Sequence, residues 1–144
     1  MQAVELMKTH VVKIAADASL SEAIDLMDLY QTSVLPVVDD DDRLCGILTE
    51  SDIFRVAVDH SIPSDGKPIH ACFIAAAREL GSDRVGDHMQ CSVQSVTEEC
   101  DVRDAIVVLL RHKLKSLPVV TQGRQVVGLL HRLDVYQAAI EGNL

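Results

Sequence analysis

Two rhythms of apolar residues alternate along the chain. Short runs rich in β-branched residues are followed by stretches in which apolar residues recur every three or four positions. The first rhythm marks strands and the second amphipathic helices. Residues 10–14, His-Val-Val-Lys-Ile, read as a strand. Leu20, Ala23, Ile24, Met27 and Tyr30 then follow at helical spacing, predicting a helix over 20–31. Ser19 stands three residues before Glu22, the spacing of a capping box. A strand over 34–38 carries Pro36, which has no N–H for a ladder and so predicts an edge or a bulge. The acidic run from Asp39 to Asp42 makes a solvated turn, a strand over 44–48 returns, and a helix over 50–59 follows Thr49. Pro63, Asp65, Gly66 and Pro68 predict an irregular stretch, and residues 69–80 read as a helix stopped by Gly81.

The same order then returns: a strand over 92–96, a helix over 102–113 capped by Asp101, strands over 115–120 and 125–130, and a helix over 132–141. A shift of 82 residues lays the chain on itself without a gap. Leu35-Pro36-Val37-Val38 falls on Leu117-Pro118-Val119-Val120, Gly46 on Gly128, Asp52 on Asp134, and Met7 on Met89. A unit of roughly 55 residues present twice predicts two small bodies packed as a pair, since a solenoid needs three or more repeats. The expected divisions are 1–59 for the first repeat, 60–84 for a connector with a helix, and 85–144 for the second repeat. A pseudo-twofold pairing creates clefts, where function is expected.

Composition narrows the function classes. Of 144 residues 48% are hydrophobic but 3% aromatic, so the core is built from Val, Leu, Ile and Ala. The formal charge of −9 repels phosphate backbones, and no basic patch with interleaved aromatics points to nucleic acid. No apolar run approaches the 18 or more residues of a membrane span. The first residues lack the charged-then-apolar form of a signal peptide, so a cytoplasmic protein is expected. Cys45, Cys72, Cys91 and Cys100 form no CxxC pair and are read as reduced and structural. The six scattered His do not cluster with them, so no metal is expected. No nucleophile–base pair or phosphate-cradling glycine loop appears, so no enzyme is expected.

The segment Gly46-Ile47-Leu48-Thr49-Glu50-Ser51-Asp52 carries the most specific chemistry. A helix N-terminus presents free N–H groups suited to phosphate. Thr49 adds a hydroxyl there, and Asp52, one turn in, offers two oxygens that suit the paired hydroxyls of a ribose. Gly46 leaves room for a planar ring or another backbone. On spacing, the alternative stands beside this: Thr49 as an N-cap and Asp52 as a complement to the helix dipole. The second copy reads Gly128-Leu129-Leu130-His131-Arg132-Leu133-Asp134, with His131 in place of the hydroxyl. His131 and Arg132 either grip phosphate or form an exposed, nonfunctional pair. An imidazole loses its charge across the physiological range, so phosphate affinity gained from His131 should fade as pH rises.

The repeated Leu-Pro-Val-Val strand, the following glycine and the Gly-apolar-x-Thr/Ser-x-x-Asp segment resemble the CBS domain, a module that occurs in pairs as Bateman modules. The resemblance covers about 110 of the 144 residues. It implies an α+β fold of two tandem β-α-β-β-α repeats related by pseudo-twofold symmetry. It also implies that the Asp of one repeat faces the first two strands of the other. Thr49 and Asp52 would then face Gln94, Lys115 and Ser116. His131, Arg132 and Asp134 would face Val12 and Ser33. Val12 is either an apolar wall against a purine or core packing. The implied function is a stand-alone regulatory sensor of an adenosine-containing ligand: AMP, ADP, ATP or S-adenosylmethionine. No cofactor is required, and an unidentified regulated protein would read the output. A homodimer is expected, with apolar stripes at Ile53, Phe54, Val56 and Ala57 and at Val135, Tyr136, Ala138 and Ala139. The alternative function is a dimerisation or protein-interaction module whose clefts no longer bind.

Overall fold

The structure is a computed structural model in which residues 1–61 and 66–144 are described. Pro63 and Asp65, two of the residues expected to mark an irregular stretch, lie outside the described residues. The chain forms α1 (Ala3–Leu6), β1 (Ile14–Ala15), α2 (Leu20–Leu29), β2 (Val34–Val38), β3 (Leu44–Thr49), α3 (Glu50–Asp59) and α4 (Ile69–Leu80). A 3-10 turn at Val85–Asp87 precedes β4 (Val96–Thr97), α5 (Val102–Arg111), β5 (Ser116–Val120), β6 (Val126–His131) and α6 (Arg132–Ile140). The fold is α+β, with two tandem halves of the order strand, helix, strand, strand, helix.

The chain divides into two compact units. One comprises Met1–Val11, Asp40–Leu44 and Ser92–Leu144, and is called here the α6 unit. The other, the α3 unit, comprises Val12–Asp39 and Cys45–Cys91. Each unit thus contains the body of one repeat and the leading segment of the other.

The α3 unit holds the sheet β1-β2-β3. β1 runs parallel to β2, with Ile14 opposite Val37 and Ala15 opposite Val38. The expected strand over 10–14 is therefore shorter and later, because β2 offers β1 two partners. Of the two readings of Pro36, an edge strand or a bulge, the edge is corrected: β2 is central in its sheet. Proline is tolerated there because β1 covers Val37 and Val38 and stops short of Pro36. Ser19 caps α2 by accepting the Glu22 N–H at 3.1 Å. Ile14, Leu20, Ala23, Met27, Leu35, Val37, Leu48, Ala57, Leu80 and Val85 form the buried cluster of this unit. Leu80 and Val85 tie α4 and the 3-10 turn to it.

In the α6 unit β4 runs parallel to β5 and β5 antiparallel to β6. Val96 pairs with Val119 and Thr97 with Val120, the register of β1 and β2 shifted by the repeat. Ala3, Val96, Ala105, Leu109, Leu117, Val119, Leu130 and Val135 form its core. Backbone dihedrals repeat as well. Gln31 and Lys113 have φ of 51° and 53°, and Asp42 and Arg124 have φ of 64° and 66°. The first pair follows the ends of α2 and α5, where a left-handed residue closes a helix. The second sits in the two hairpin turns.

The stripes expected on α3 and α6 are split. Ala57, Val135 and Ala138 are buried, whereas Phe54 and Tyr136 are 61% and 67% exposed. The four positions of each stripe spread over about 160° of the helix circumference, so Phe54 and Tyr136, at one margin of the arc, fall outside the buried side.

Candidate functional site

Strand β3 feeds directly into α3, and β6 into α6, so each repeat aims a helix N-terminus from the end of a strand. In the α3 unit Thr49 is the N-cap: its Oγ1 accepts the Asp52 N–H at 3.1 Å. Asp52 Oδ2 accepts the Thr49 N–H at 3.2 Å, which closes a reciprocal capping box. Asp52 is 4% exposed. Burying a carboxylate requires donors, and the fold supplies them. Gln90 Nε2 donates to Oδ2 at 2.8 Å and to Oδ1 at 3.1 Å. Arg55 Nη1 lies 3.4 Å from Oδ1. The main chain of Gln90 is fixed beside β3: its N–H donates to the Ile47 carbonyl at 2.8 Å, and the Ile47 N–H returns to the Gln90 carbonyl at 2.9 Å.

Gly46 explains itself in the same place. A Cβ there would collide with the Met89 side chain and come within 3.1 Å of the Gln90 carbonyl oxygen. The room that Gly46 leaves is therefore taken by another backbone and a methionine of its own unit. Ser33 is exposed, and its carbonyl accepts the Glu50 N–H at 2.9 Å, so it sits beside the α3 N-terminus. Val12 packs against the core of this unit.

The α6 unit repeats the backbone with different side chains. His131 occupies the N-cap position but makes no capping hydrogen bond. Arg132 is exposed, and its N–H donates to the Lys115 carbonyl at 3.0 Å. Ser116 is buried in β5 opposite His131. Lys115, Ser116, His131 and Arg132 are thus brought together at the α6 N-terminus, in the unit that also holds Gln94, which is exposed. Lys8, which the repeat aligns with Gln90, exchanges main-chain hydrogen bonds of 2.9 Å with Leu129 in both directions. Its Nζ lies 3.5 Å from Asp134 Oδ1. Asp134 Oδ2 is buried and has no hydrogen-bond partner among the described residues. Gly128 mirrors Gly46, since a Cβ there would collide with Met7.

Sequence reasoning missed Gln90 and Lys8. Met7 and Met89 align across the repeat, but it takes the structure to show that the next residue in each case reaches the aspartate of its own unit. Also missed was a cavity of about 630 Å³ in the α3 unit. Leu20, Ile24, Met27, Ile53 and Phe73 line it, and Ser33 and Glu50 stand at its polar end.

Cys45 and Cys100 are not activated thiols. Burial pushes both up, helped by Asp39 and Cys91 at Cys45 and by Asp104 and Asp101 at Cys100. A raised thiol stays protonated at neutral pH and is a poor nucleophile. Among the described residues no group of three His, Cys, Asp or Glu is placed to hold a metal ion. No helix among them is long and apolar enough to cross a membrane.

Two β-α-β-β-α halves, each ending in a strand that opens into a helix over a Gly-x-x-x-x-x-Asp segment, define a tandem pair. The chain belongs to the CBS domain family, whose model matches residues 3–59 and 85–141. It is similar to the chloroplastic CBS domain-containing protein CBSX1 of Arabidopsis thaliana, 30% identical over 145 residues, covering 92% of this chain and 59% of that protein. It is also similar to an inosine-5'-monophosphate dehydrogenase of Methanocaldococcus jannaschii, 25% identical over 131 residues, covering 91% of this chain but 22% of that enzyme. The chain therefore spans less than two thirds of the length of both. The crystal structure of CBSX2 of Arabidopsis thaliana in complex with AMP matches with a TM-score of 0.76 at 25% identity, covering 99% of this chain and 98% of that one.

Proposed function

We propose that this chain is a regulatory module that senses an adenosine-containing ligand, with Asp134 and Asp52 as its two ribose acceptors. The observation that carries this reading is the buried Oδ2 of Asp134, which lacks a hydrogen-bond partner among the described residues. An unsatisfied buried acceptor costs roughly 1–3 kcal/mol, and a ribose hydroxyl is a donor of the right kind to relieve it. The surroundings favour a phosphorylated ligand at this aspartate. Helix α6 opens at Arg132 behind an uncapped His131, and Lys115 lies beside them, so two permanently positive side chains, Arg132 and Lys115, add to the positive end of the helix dipole. AMP bound to CBSX2 supports the ligand class. AMP, ADP and ATP are accordingly preferred to S-adenosylmethionine there. The module is regulatory and not catalytic, acts in the cytoplasm, and hands its state to a separate protein.

Thermal unfolding with AMP, ATP and S-adenosylmethionine tests the reading. Ligand at 100-fold excess over its dissociation constant should stabilise by about 2.7 kcal/mol. No shift with any of them would leave the second reading: an interaction module. That reading rests on the apolar residues exposed on the helices, with Leu110, Leu133 and Ile140 each 70% exposed or more. Either way the module forms a homodimer through such faces, and light scattering at micromolar concentration should return the dimer mass.

A further inference from the structure

We infer that Gln90 determines how readily the Asp52 half-site accepts a ribose: its side-chain amide occupies the carboxylate and must swing away before a ligand enters. The inference rests on the reading that Asp52 takes a ribose. A carboxylate accepts about four hydrogen bonds. On Asp52 the protein supplies four contacts: the Thr49 N–H on Oδ2, Gln90 Nε2 on both oxygens, and Arg55 Nη1 on Oδ1. The two vicinal hydroxyls of a ribose therefore compete with donors already in place.

Gln90 is the donor built to leave. The Thr49 N–H belongs to the helix cap and is fixed by the backbone. Arg55 touches one oxygen, at 3.4 Å, from a side chain that is 66% exposed. Gln90 alone among them spans both oxygens, as a ribose diol does. Its main chain is held by the pair with Ile47, whereas the residue itself is exposed, so rotation of its side chain alone carries the amide into water. The amide faces Asp52 through its nitrogen because a carboxylate accepts and never donates. At Asp134 the aligned residue is Lys8, which reaches one oxygen and leaves the other unpartnered. Gln90 thus also sets a specificity: ligands with a full diol displace it, and ligands without hydroxyls gain nothing from its removal.

Calorimetric titration of AMP and of 2',3'-dideoxy-AMP in an Asp134→Ala background tests this. Gln90→Ala should tighten AMP binding about tenfold, a change of ~1.4 kcal/mol, and leave dideoxy-AMP unchanged. AMP binding that is unchanged or weakened by Gln90→Ala overturns the inference. Asp52→Asn separates the two levels. If it abolishes AMP binding while Gln90→Ala has no effect, the gate is wrong and the ribose reading stands. If AMP binds equally with Asp52→Asn, or does not bind in this background at all, the ribose reading at Asp52 fails and the gate with it. A second measurement needs no affinity: the Gln90 side-chain amide resonances, assigned by their loss in Gln90→Ala, should move to free-glutamine positions when the otherwise wild-type chain is saturated with AMP. Resonances that stay in place under saturation overturn the inference.

Discussion

Helices α3 and α6 start from the same backbone, yet their N-termini carry opposite chemistry. At α3 a threonine caps, an aspartate closes the box, and Gln90 and Arg55 complete the hydrogen bonds of that aspartate. At α6 a histidine stands in the cap position without capping, and the aspartate keeps a buried oxygen that no described residue satisfies. One is finished as structure. The other carries an unrelieved cost that stability would not select. Where a protein leaves a buried acceptor unpaired, the missing donor is sought in a ligand. The aspartate of the copy that matches the resembled signature in full is the more completely hydrogen-bonded, and on our proposal the other copy is therefore the readier acceptor.

The stability of the two aspartates should separate most. Asp52→Ala removes one half of the capping box and the anchor for Gln90, and should cost about 1–2 kcal/mol. Asp134→Ala removes an unsatisfied buried oxygen at the loss of a surface ion pair worth little, so it should leave stability unchanged or raise it by up to about 1–2 kcal/mol. Urea denaturation of the two variants reads the difference directly, and equal losses would mean that Asp134 is as well satisfied as Asp52. Next in size is the cap. His131→Thr should restore a hydroxyl cap to α6 and stabilise by roughly 0.5–1 kcal/mol, while Thr49→Ala should cost about as much or more. Thermal unfolding midpoints moving in opposite directions would bear this out.

A smaller effect follows from transplanting the gate. Lys8→Gln places at Asp134 the amide that holds Asp52, and AMP affinity there should fall a few-fold; a rise would show that Lys8 was the stronger barrier. The smallest effect concerns the first helix of each repeat. The cap of α5 is Asp101, whose carboxyl is held below the usual range by the hydrogen bond from the Arg103 N–H and then by the Arg103 side chain. The cap of α2 is the neutral Ser19. A depressed carboxyl contributes stability that is present above its unfolded-state value and lost as pH falls through the folded value. Acid below about pH 4 should therefore loosen α5 before α2, and hydrogen exchange of the two helices at pH 3 and pH 6 compares them. Equal protection lost in both would remove Asp101 from the account.

Much of this was written in the residues. The 82-residue repeat predicted the order of elements, and the helices over 50–59 and 69–80 match Glu50–Asp59 and Ile69–Leu80. Caps and glycine stops are local, so they are legible. The short strands β1 and β4 were misplaced because their extent depends on how much of β2 and β5 is left to pair with, which is tertiary. The edge reading of Pro36 failed for the same reason, since the order of strands in a sheet is tertiary too. At the site, Thr49, Asp52, His131 and Asp134 could be read from one continuous segment each. Gln90 and Lys8 could not, since they reach their aspartates from the leading segment that comes from the other repeat. Nor does a sequence show hydrogen-bond satisfaction: Asp52 and Asp134 are the same letter at the same repeat position, and only the donors around them tell them apart.

Isothermal titration of AMP into wild type, Asp52→Ala and Asp134→Ala measures the central claim, that the two aspartates are unequal ribose acceptors. The account predicts two classes of site in the wild-type chain. Asp134→Ala should remove the tighter class and leave the weaker, and Asp52→Ala should do the reverse. An isotherm with the tighter class lost in Asp52→Ala and retained in Asp134→Ala, or one that neither substitution alters, would contradict it.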